Sequence, residues 1–325
     1  LITGGAGYIG SHTAKQLSLK GYEPIVLDNL STGYEKSVKW GPLLKTDLSQ
    51  KSELQRIIKK WEPAAVIHFA SSSLVHESFL NPNKYFYNNV INTINLLDVM
   101  INCGIDKFIF SSSCAVYGNP TCKLISENET KIPLSPYGES KLIIEKILNW
   151  HTNIYDMKSV SLRYFNAAGA DHDGEIGETH NPETHLIPLV INAALKLQDT
   201  IKVFGNDYKT PDGTAIRDYV HVTDIARAHI NALEYLLRGG MSVGLNLGAG
   251  IGHSVLDIIR AVENISGEKI TISIQEKRDG DAPILVADSS KVAKVLDWTP
   301  KCSEINQIIE TAFRWHKSFI ENHPQ

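Results

Sequence analysis

The sequence predicts an α/β fold in which a doubly wound parallel sheet is followed by a smaller α/β domain. Short apolar runs alternate with longer segments of helical periodicity through the first half of the chain, which is the pattern of repeated strand–helix–strand units. Beyond Arg163 the loops become rich in glycine and aspartate, and the elements between them become shorter. We therefore predict a first domain over residues 1–165 and a second over 166–325, with segments of the two able to interleave.

The elements of the first domain follow from runs of apolar residues bounded by polar or glycine positions. Strands rich in apolar and β-branched residues are predicted at 24–27, 65–69, 107–111 and 159–163. Helices are predicted between and after them at 11–20, 52–61, 84–102 and 136–156. This alternation is typical of a Rossmann-type sheet with helices on both faces.

Two helices are predicted in the second domain, and each starts at a residue that suits a helix cap. One spans residues 223–237 and begins at Thr223 or Asp224. The other spans 254–265 and begins at Ser254. The second domain is therefore expected to contain both helices and strands.

Composition narrows the class of protein further. The 325 residues carry a formal net charge of -4 with acidic and basic residues interspersed, so no basic stripe is present to attract nucleic acid. Apolar runs stay well short of the ~20 residues that span a bilayer. The four cysteines show neither a CxxC pair nor zinc-type spacing. We therefore expect free thiols, no metal, no nucleic-acid or membrane partner, and a cytoplasmic location.

The amino-terminal glycines have the pattern of a dinucleotide-binding turn. Gly4, Gly7 and Gly10 form GxxGxxG between a short strand and a helix. Glycines there permit a tight turn and let the backbone approach a pyrophosphate at the helix amino terminus. Asp28 follows about 20 residues on, where a carboxylate accepts hydrogen bonds from the adenosine ribose. No arginine lies beside Asp28 to bind a 2′-phosphate, which favours NAD over NADP.

Serines after one strand and a tyrosine–lysine pair on the next helix form the predicted chemical centre. Ser111 and Ser113 lie at the carboxyl end of strand 107–111, where open α/β sheets bind ligands, although such serines alone more often cap a turn. Tyr137 and Lys141 are four residues apart and share a helix face. The ammonium is expected to lower the phenol pKa from about 10 toward neutrality. These groups fit a hydride-transfer site with a phenol as general base.

Longer motifs make the sequence resemble the extended short-chain dehydrogenase/reductases, and among them the UDP-glucose 4-epimerases. The resemblance covers nearly the whole chain. Its motifs are GGAGYIGSH at 4–12, LDN at 27–29, HFA at 68–70, NN at 88–89, SSS..VYG at 111–118, SPYGxSK at 135–141, RYFNAAGA at 163–170, FGNDYxTxDGTxxRDYxHVxD at 204–224, NLGxGxGxSV at 246–255 and RxGD at 278–281.

The resemblance implies an NAD-dependent epimerase that interconverts UDP-glucose and UDP-galactose. In that family's reaction Tyr137 would take the proton of the sugar 4-hydroxyl while C4 gives a hydride to NAD. Ser113 would hydrogen-bond the same oxygen, and Lys141 would bind the nicotinamide ribose. The 4-keto sugar then turns over and receives the hydride on its other face, so NAD is tightly bound and regenerated in each turnover.

The resemblance also implies a set of binding residues. Those expected around NAD are Gly4, Gly7, Tyr8, Ile9, Gly10, Asp28, Asn29, Asp47, Leu48, Phe69, Ala70, Asn88, Ser111, Tyr137, Lys141 and Phe165. Those expected around the UDP-sugar are Ser113, Tyr137, Asn166, His185, Leu186, Phe204, Arg217, Arg278 and Asp281. Guanidinium groups suit a diphosphate, and a carboxylate accepts from ribose hydroxyls. The alternative for Arg217 and Arg278 is a surface ion pair.

The sequence departs from the family at three places. Residues 71–73 are serines where some epimerases carry a lysine near the cofactor diphosphate. His185 stands where the family often has asparagine, and it either contacts the substrate diphosphate or caps the following helix. Leu285 is of intermediate size where the family sets the space around the sugar 2-substituent, so N-acetylated UDP-sugars remain alternative substrates.

Two other classes of protein share this fold. Nucleotide-sugar dehydratases and decarboxylases also carry the tyrosine–lysine pair, but dehydratases place Asp-Glu where this chain has Cys114 and Ala115, neither of which can protonate a leaving hydroxyl. A non-catalytic NAD sensor on the same scaffold would usually lack the tyrosine and lysine. Both alternatives are therefore less favoured than an epimerase.

The family's dimers, joined through paired helices, imply a homodimer here. The corresponding helices are those predicted at 84–102 and 136–156. The alternative is that the apolar residues of the first helix belong to the core; these are Ile91, Ile94, Leu97 and Ile101.

Overall fold

The computed structural model describes residues 1–278 and 281–322, so Asp279 and Gly280 of the predicted RxGD motif lie outside the described residues. The strands are β1 (Ile2–Thr3), β2 (Val26–Asp28), β3 (Leu43–Lys45), β4 (Val66–His68), β5 (Lys107–Ser113), β6 (Lys158–Tyr164), β7 (Asn166–Ala168), β8 (Ile201–Phe204), β9 (Ile216–His221), β10 (Val243–Leu247), β11 (Gly252–Ser254), β12 (Ile272–Gln275) and β13 (Ile284–Leu285). The helices are α1 (Tyr8–Leu19), α2 (Lys51–Trp61), α3 (Val75–Leu80), α4 (Pro82–Tyr85), α5 (Asn92–Asn102), α6 (Pro136–Tyr155), α7 (Leu186–Ala194), α8 (Val222–Leu237), α9 (Val255–Ser266), α10 (Ser290–Leu296) and α11 (Ile305–Asn322).

A seven-stranded parallel sheet in the order β10-β6-β5-β4-β1-β2-β3 forms the centre of the molecule. From β1 the chain first builds outward through β2 and β3, and then returns to the other side of β1 with β4. This reversal of strand order creates a crevice at the carboxyl ends of β1 and β4, which is where open α/β sheets bind ligands. The predicted doubly wound α/β fold is confirmed.

Alternate residues of the central strand β5 serve the two faces of this sheet. Ile109 belongs to the apolar cluster under α1 and α8, whereas Phe108 and Phe110 belong to the cluster under α2, α5 and α6. Because helices cover both faces, the strand is apolar at consecutive positions rather than at every second one. Packing on both faces holds β5 in place, and with it the carboxyl-terminal end that carries Ser111 and Ser113.

The chain returns to this sheet after residue 165. Strand β10 pairs in parallel with β6, from Val243 opposite Val160 to Leu247 opposite Tyr164. Helix α8, which precedes β10, packs on α1. The assignment of two domains with a boundary near residue 165 stays a prediction. Helix α8 and strand β10 follow residue 165 in the chain but pack with elements of the predicted first domain, which is the interleaving that the prediction allowed.

A smaller unit contains the remaining strands. Strands β11, β9 and β13 form one sheet with β7 paired to β9, and β8 pairs with β12. Helices α7, α9 and α11 share an apolar cluster with these strands through Ile187, Tyr219, Ile259 and Ile308. Within the described residues, no helix is long and apolar enough to cross a membrane.

The predicted helix 84–102 is helical throughout, but it contains a π-helical turn. After α4 the backbone makes a π-helical turn over Phe86–Ile91 before α5 begins. The π turn presents Asn89, whose side chain accepts from the Ser72 amide (2.8 Å) and donates to Ser140 Oγ (3.0 Å). π turns inside helices are frequent at functional sites.

The two helix starts predicted for the second domain have different outcomes. Ser254 caps α9 in a reciprocal arrangement with Asp257, as predicted. The predicted helix 223–237 is confirmed as α8, but its predicted cap is wrong, because His221 is the cap and its Nδ1 accepts from the Thr223 amide at 3.1 Å. Asp224 instead accepts hydrogen bonds from the amides of Lys301 and Cys302.

Candidate active site

The turn between β1 and α1 brings bare backbone to the crevice of the sheet. Gly4 has φ +72°, and a Cβ added there would lie 2.5 Å from the amide nitrogen of Ala70. A Cβ at Gly10 would collide with the carbonyl oxygen of Gly4. Gly7 is the N-cap residue of α1 and makes no side-chain hydrogen bond to the helix. The first amides of α1 can therefore bind an anion. This cradle fits the pyrophosphate of a dinucleotide.

Carboxylates lie at the ends of β2 and β3, where the adenosine end of NAD was predicted. Asp28 accepts hydrogen bonds from the amides of Ala6 (3.0 Å) and Leu30 (2.8 Å). Burial raises the pKa of Asp28 even though both amides act to lower it. Asn29 donates to Asp47 Oδ2 at 2.6 Å. Burial acts to raise the pKa of Asp47, but hydrogen bonds from its neighbours lower it overall.

Further predicted cofactor residues lie around the same edge of the sheet. Phe69 and Ala70 directly follow β4, and the Phe69 ring lies 4.6 Å from that of His229 on α8. Asn88 donates to Ser72 Oγ at 3.1 Å, and Tyr8 donates from its hydroxyl to the carbonyl of Gly169 at 2.6 Å. Five apolar residues of the predicted set pack in or against core clusters; they are Ile9, Leu48, Phe69, Ala70 and Phe165.

Tyr137 and Lys141 lie one turn apart on α6 and are 9% and 2% exposed. The helix begins where Ser135 Oγ accepts from the Gly138 amide at 3.1 Å, with Pro136 as its first residue. Lys141 Nζ donates to the Ser111 carbonyl at 2.8 Å and lies 5.7 Å from the centre of the Tyr137 ring. The pair predicted from the sequence is therefore brought together at the carboxyl end of β5.

The protonation of this pair differs from the sequence prediction. Burial raises the pKa of Tyr137 to about 12, and a hydrogen bond with Ser113 offsets this only in part. Burial also lowers the pKa of Lys141 to about 7. In the protein alone, therefore, the phenol is a weaker acid than in water, because burial disfavours its charged form. A further positive charge beside the phenol is needed to lower its pKa.

The two serines of the predicted centre have different partners. Ser113 Oγ accepts from the Ala115 amide at 3.2 Å and so caps the short 3₁₀ turn over Cys114–Tyr117. Ser113 is also the hydrogen-bonding neighbour of the Tyr137 phenol. Ser111 instead pairs its hydroxyl with that of Tyr164. Ser113 is therefore the serine that lies beside the proposed base.

A buried polar network, which the sequence reading missed, attaches α6 to the sheet. Glu145 accepts from Ser112 Oγ at 2.6 Å and from two nitrogens of Arg163 at 2.8 and 2.6 Å. Arg163 also donates to the Tyr117 hydroxyl (2.9 Å), which donates to Asn246 Oδ1 (2.6 Å). The available signal was an acidic residue on the buried face of α6, four residues after Lys141, with an arginine in the neighbouring strand.

Four of the predicted nucleotide residues form two contacting pairs in the smaller unit. Arg217 on β9 forms an ion pair with Asp281. The Arg278 guanidinium lies 3.9 Å from the centre of the Phe204 ring. Strand register places Leu285 opposite Arg217, so the residue predicted to bound the sugar lies beside one predicted to bind the diphosphate.

His185 contacts two carboxylates. Its Nδ1 lies 2.8 Å from Glu178 Oε1 and 2.9 Å from Glu183 Oε1, and its side chain makes no helix cap. Burial acts to lower the pKa of His185, but the two carboxylates raise it to about 10. Of the two predicted roles, side-chain capping is not observed, and contact with the substrate stays a prediction. Leu186, the next residue, is the first residue of α7, and Asn166 is the first residue of β7.

The sequence matches the family described as GDP-mannose 4,6 dehydratase over residues 1–311. It is 48% identical to a UDP-glucose 4-epimerase of Rhizobium meliloti, over 97% of this chain and 96% of that protein. The structure is similar to that of UDP-glucose 4-epimerase from Brucella ovis in complex with NAD, with 46% identity, 96% of each chain covered and a TM-score of 0.94. It is also similar to the Bifidobacterium longum enzyme in complex with NAD+ and UDP, with 35% identity, 98% and 97% of the two chains covered and a TM-score of 0.92.

Proposed function

This chain belongs to the UDP-glucose 4-epimerases, within the wider family described as GDP-mannose 4,6 dehydratase, and on that premise we propose that it interconverts UDP-glucose and UDP-galactose with NAD as a tightly held cofactor. The observation that carries the proposal is the position of the buried Tyr137 and Lys141. They lie with Ser113 at the carboxyl end of β5, in the crevice that the glycine turn also borders. The reaction belongs to galactose metabolism in either direction.

The chain's own residues supply the proton chemistry of this reaction. Bound NAD supplies reversible hydride exchange with C4 of the sugar. Tyr137 takes the proton of the 4-hydroxyl and later returns it, and Ser113 hydrogen-bonds the same oxygen. Lys141 is held toward the sheet by the Ser111 carbonyl, where its charge favours the phenolate.

The second unit supplies groups suited to a UDP moiety. Arg217 and Arg278 offer planar guanidinium groups that match phosphate oxygens, and Asp281 can accept from ribose hydroxyls. Asp281 orients Arg217 through their ion pair. The UDP in the similar Bifidobacterium longum structure supports a uridine diphosphate ligand here as well.

The residues after Ser113 favour epimerisation over dehydration. Burial raises the pKa of the Cys114 thiol to about 12, so it is a poor acid at neutral pH. Ala115 carries no acidic group. Loss of water from the sugar needs a proton donor for the leaving hydroxyl, which neither residue provides.

Assembly as a homodimer is supported by apolar residues exposed on the two predicted interface helices. Leu97 is fully buried, and Ile94 and Ile101 pack against the core, so these belong to the fold. Ile91 is 43% exposed, and Trp150 on α6 is 66% exposed. Large apolar side chains left in water on adjacent helices are typical of a protein interface.

A cytoplasmic location is supported by the state of the cysteines. All four cysteines in the sequence are free thiols in the structure. Cytosolic reductants keep thiols in this state.

The proposal is tested by incubating the purified protein with UDP-galactose and no added NAD. We expect UDP-glucose to form, because the cofactor remains bound and is regenerated. In the matched variant Tyr137→Phe, NAD and UDP binding should persist while turnover falls by ~10²–10⁴-fold, since only the proton transfer is removed. No product from the wild type would refute the proposed activity, and unchanged turnover in the variant would refute the role of Tyr137.

A further inference from the structure

Lys15 is a buried lysine of the cofactor-binding helix α1, and it contacts a distant segment of the chain. It is only 4% exposed. Its Nζ lies 2.7 Å from Asp171, 2.8 Å from Asp173 and 2.7 Å from Glu175. The Asp171 side chain is as buried as that of Lys15, whereas the other two carboxylates are partly in solvent. The Lys15–Asp171 pair is therefore the one that breaks at the greatest cost.

The segment 171–180 is attached to the molecule at other points too. Trp315 on α11 donates from its ring nitrogen to the Glu178 carbonyl at 2.9 Å. Gly177 lies so close to Trp315 that an added Cβ would collide with the indole. Lys39 donates to the Glu175 carbonyl at 2.9 Å. The segment therefore passes between α11 and α1, and Lys15 forms its ion pairs with α1.

The far end of this segment reaches the glycine turn. Thr179 and His180 line one side of a small cavity of about 40 Å³, and Gly7 and Tyr8 line another. The His180 and Tyr8 rings meet edge to face with centres 6.4 Å apart. The segment thus covers the amino terminus of α1, where the first amides of the helix can bind an anion.

We propose that Lys15 is a latch that holds segment 171–180 across the cofactor turn and thereby sets how slowly NAD leaves the protein. The inference rests on the proposed function, because it assumes that the bound dinucleotide is NAD. Lys15 is a positioning residue here, since its ammonium is engaged by the three carboxylates. Loss of the Lys15 charge removes the ion pairs between the segment and α1, so that the segment, although still attached to Trp315 and Lys39, covers the turn less tightly and lets the dinucleotide leave sooner.

The experiment compares the loss of NAD from holoprotein with Lys15→Met, which keeps the side-chain length without the charge. Holoprotein is diluted into an NAD scavenger, and the remaining bound NAD is measured over time. We expect loss to be about tenfold faster or more, because a buried ion pair is broken. Lys20→Met, at the exposed end of the same helix, should release NAD at the wild-type rate.

Turnover in saturating NAD separates retention from chemistry. There Lys15→Met should match the wild type, since the reacting groups are unchanged. Wild-type retention in this variant would overturn the proposal, and so would low turnover in saturating NAD. Should the variant not fold, the milder change Asp171→Asn, which removes the charge of the buried partner and leaves Asp173 and Glu175 beside Lys15, decides, and wild-type retention in it overturns the proposal. Failure of the epimerase proposal would appear separately, as absence of product with the wild type.

Discussion

At the scale of single residues, Lys141 is the position where burial and charge oppose each other most directly. Its ammonium is almost fully removed from water and donates to one carbonyl, that of Ser111, at 2.8 Å. The rings of Phe110 and Tyr137 lie 5.0 and 5.7 Å away and compensate a little of the lost hydration. The protein therefore keeps a costly charge at the position where the reaction needs it.

Removing this charge by Lys141→Met should stabilise the cofactor-free protein while abolishing turnover. The pKa of Lys141 falls from 10.5 to about 7 on folding, so the unfolded chain binds more protons between these values. The cost is fully present below pH 7 and fades as the pH rises toward 10.5. We expect a gain in unfolding free energy on the order of 2 kcal/mol at neutral pH, smaller at about pH 9.5, by urea titration. A gain that is equal at both pH values would contradict the assigned pKa.

The sequence was sufficient to place the reacting residues but not to predict their protonation. The spacing of Tyr137 and Lys141 puts them on one helix face, and Ser113 follows a strand that ends at the same edge. Their pKa values depend on how completely the rest of the chain excludes water, which no local pattern records. The same limit applies to His185, whose carboxylate partners Glu178 and Glu183 come from a loop.

At the scale of elements, helix α6 is positioned by the polar network around Glu145 as well as by apolar packing. Glu145 bonds to Arg163 on β6 and to Ser112 on β5, so one carboxylate joins the helix to two strands. A buried network that is fully paired defines one arrangement of the helix on the sheet. Because Tyr137 and Lys141 lie on α6, the network around Glu145 also positions these two residues.

Glu145→Ala should therefore destabilise the protein by about 3–5 kcal/mol, because it leaves the Arg163 guanidinium buried without its partner. Urea unfolding at fixed NAD concentration measures the change. The matched control is Glu53→Ala on α2, which removes an exposed ion pair with Arg56 and should leave the unfolding midpoint unchanged. Equal effects of the two changes would show that the network does not hold α6.

At the scale of the whole molecule, the exposed apolar side chains of Ile91 and Trp150 predict assembly in pairs. The chain has a mass of 36.0 kDa, and the wild type should sediment as a particle of twice that mass. The double change Ile91→Glu and Trp150→Glu should give single chains, because charged side chains are not tolerated in a buried apolar interface. Leu197→Glu, at an exposed apolar position after α7, should remain paired. A double variant that still pairs would place the interface elsewhere.

The large-scale topology was only partly predictable. The parallel sheet follows from alternating strands and helices, and the sequence indicates its strands up to β6 with the exception of the three-residue strand β3. Strand β10 was not recognised, because Val243–Leu247 is short and contains Gly244 and Asn246. The polar side chain of Asn246 in that strand is explained by distant partners, since it accepts from the Tyr117 hydroxyl at 2.6 Å and donates to the Ile125 carbonyl at 2.8 Å.

The return of β10 to the sheet restricts how proteins of this architecture can be recombined. A cut at residue 165 would leave β6 as an edge strand with unpaired backbone groups from Val160 to Tyr164. A graft that changes the ligand must therefore replace two separate stretches on either side of 222–247 and leave α8 and β10 in place. Such a chain would therefore acquire a new ligand preference by the joint exchange of two separate segments around a retained segment 222–247, rather than by the fusion of one domain to another.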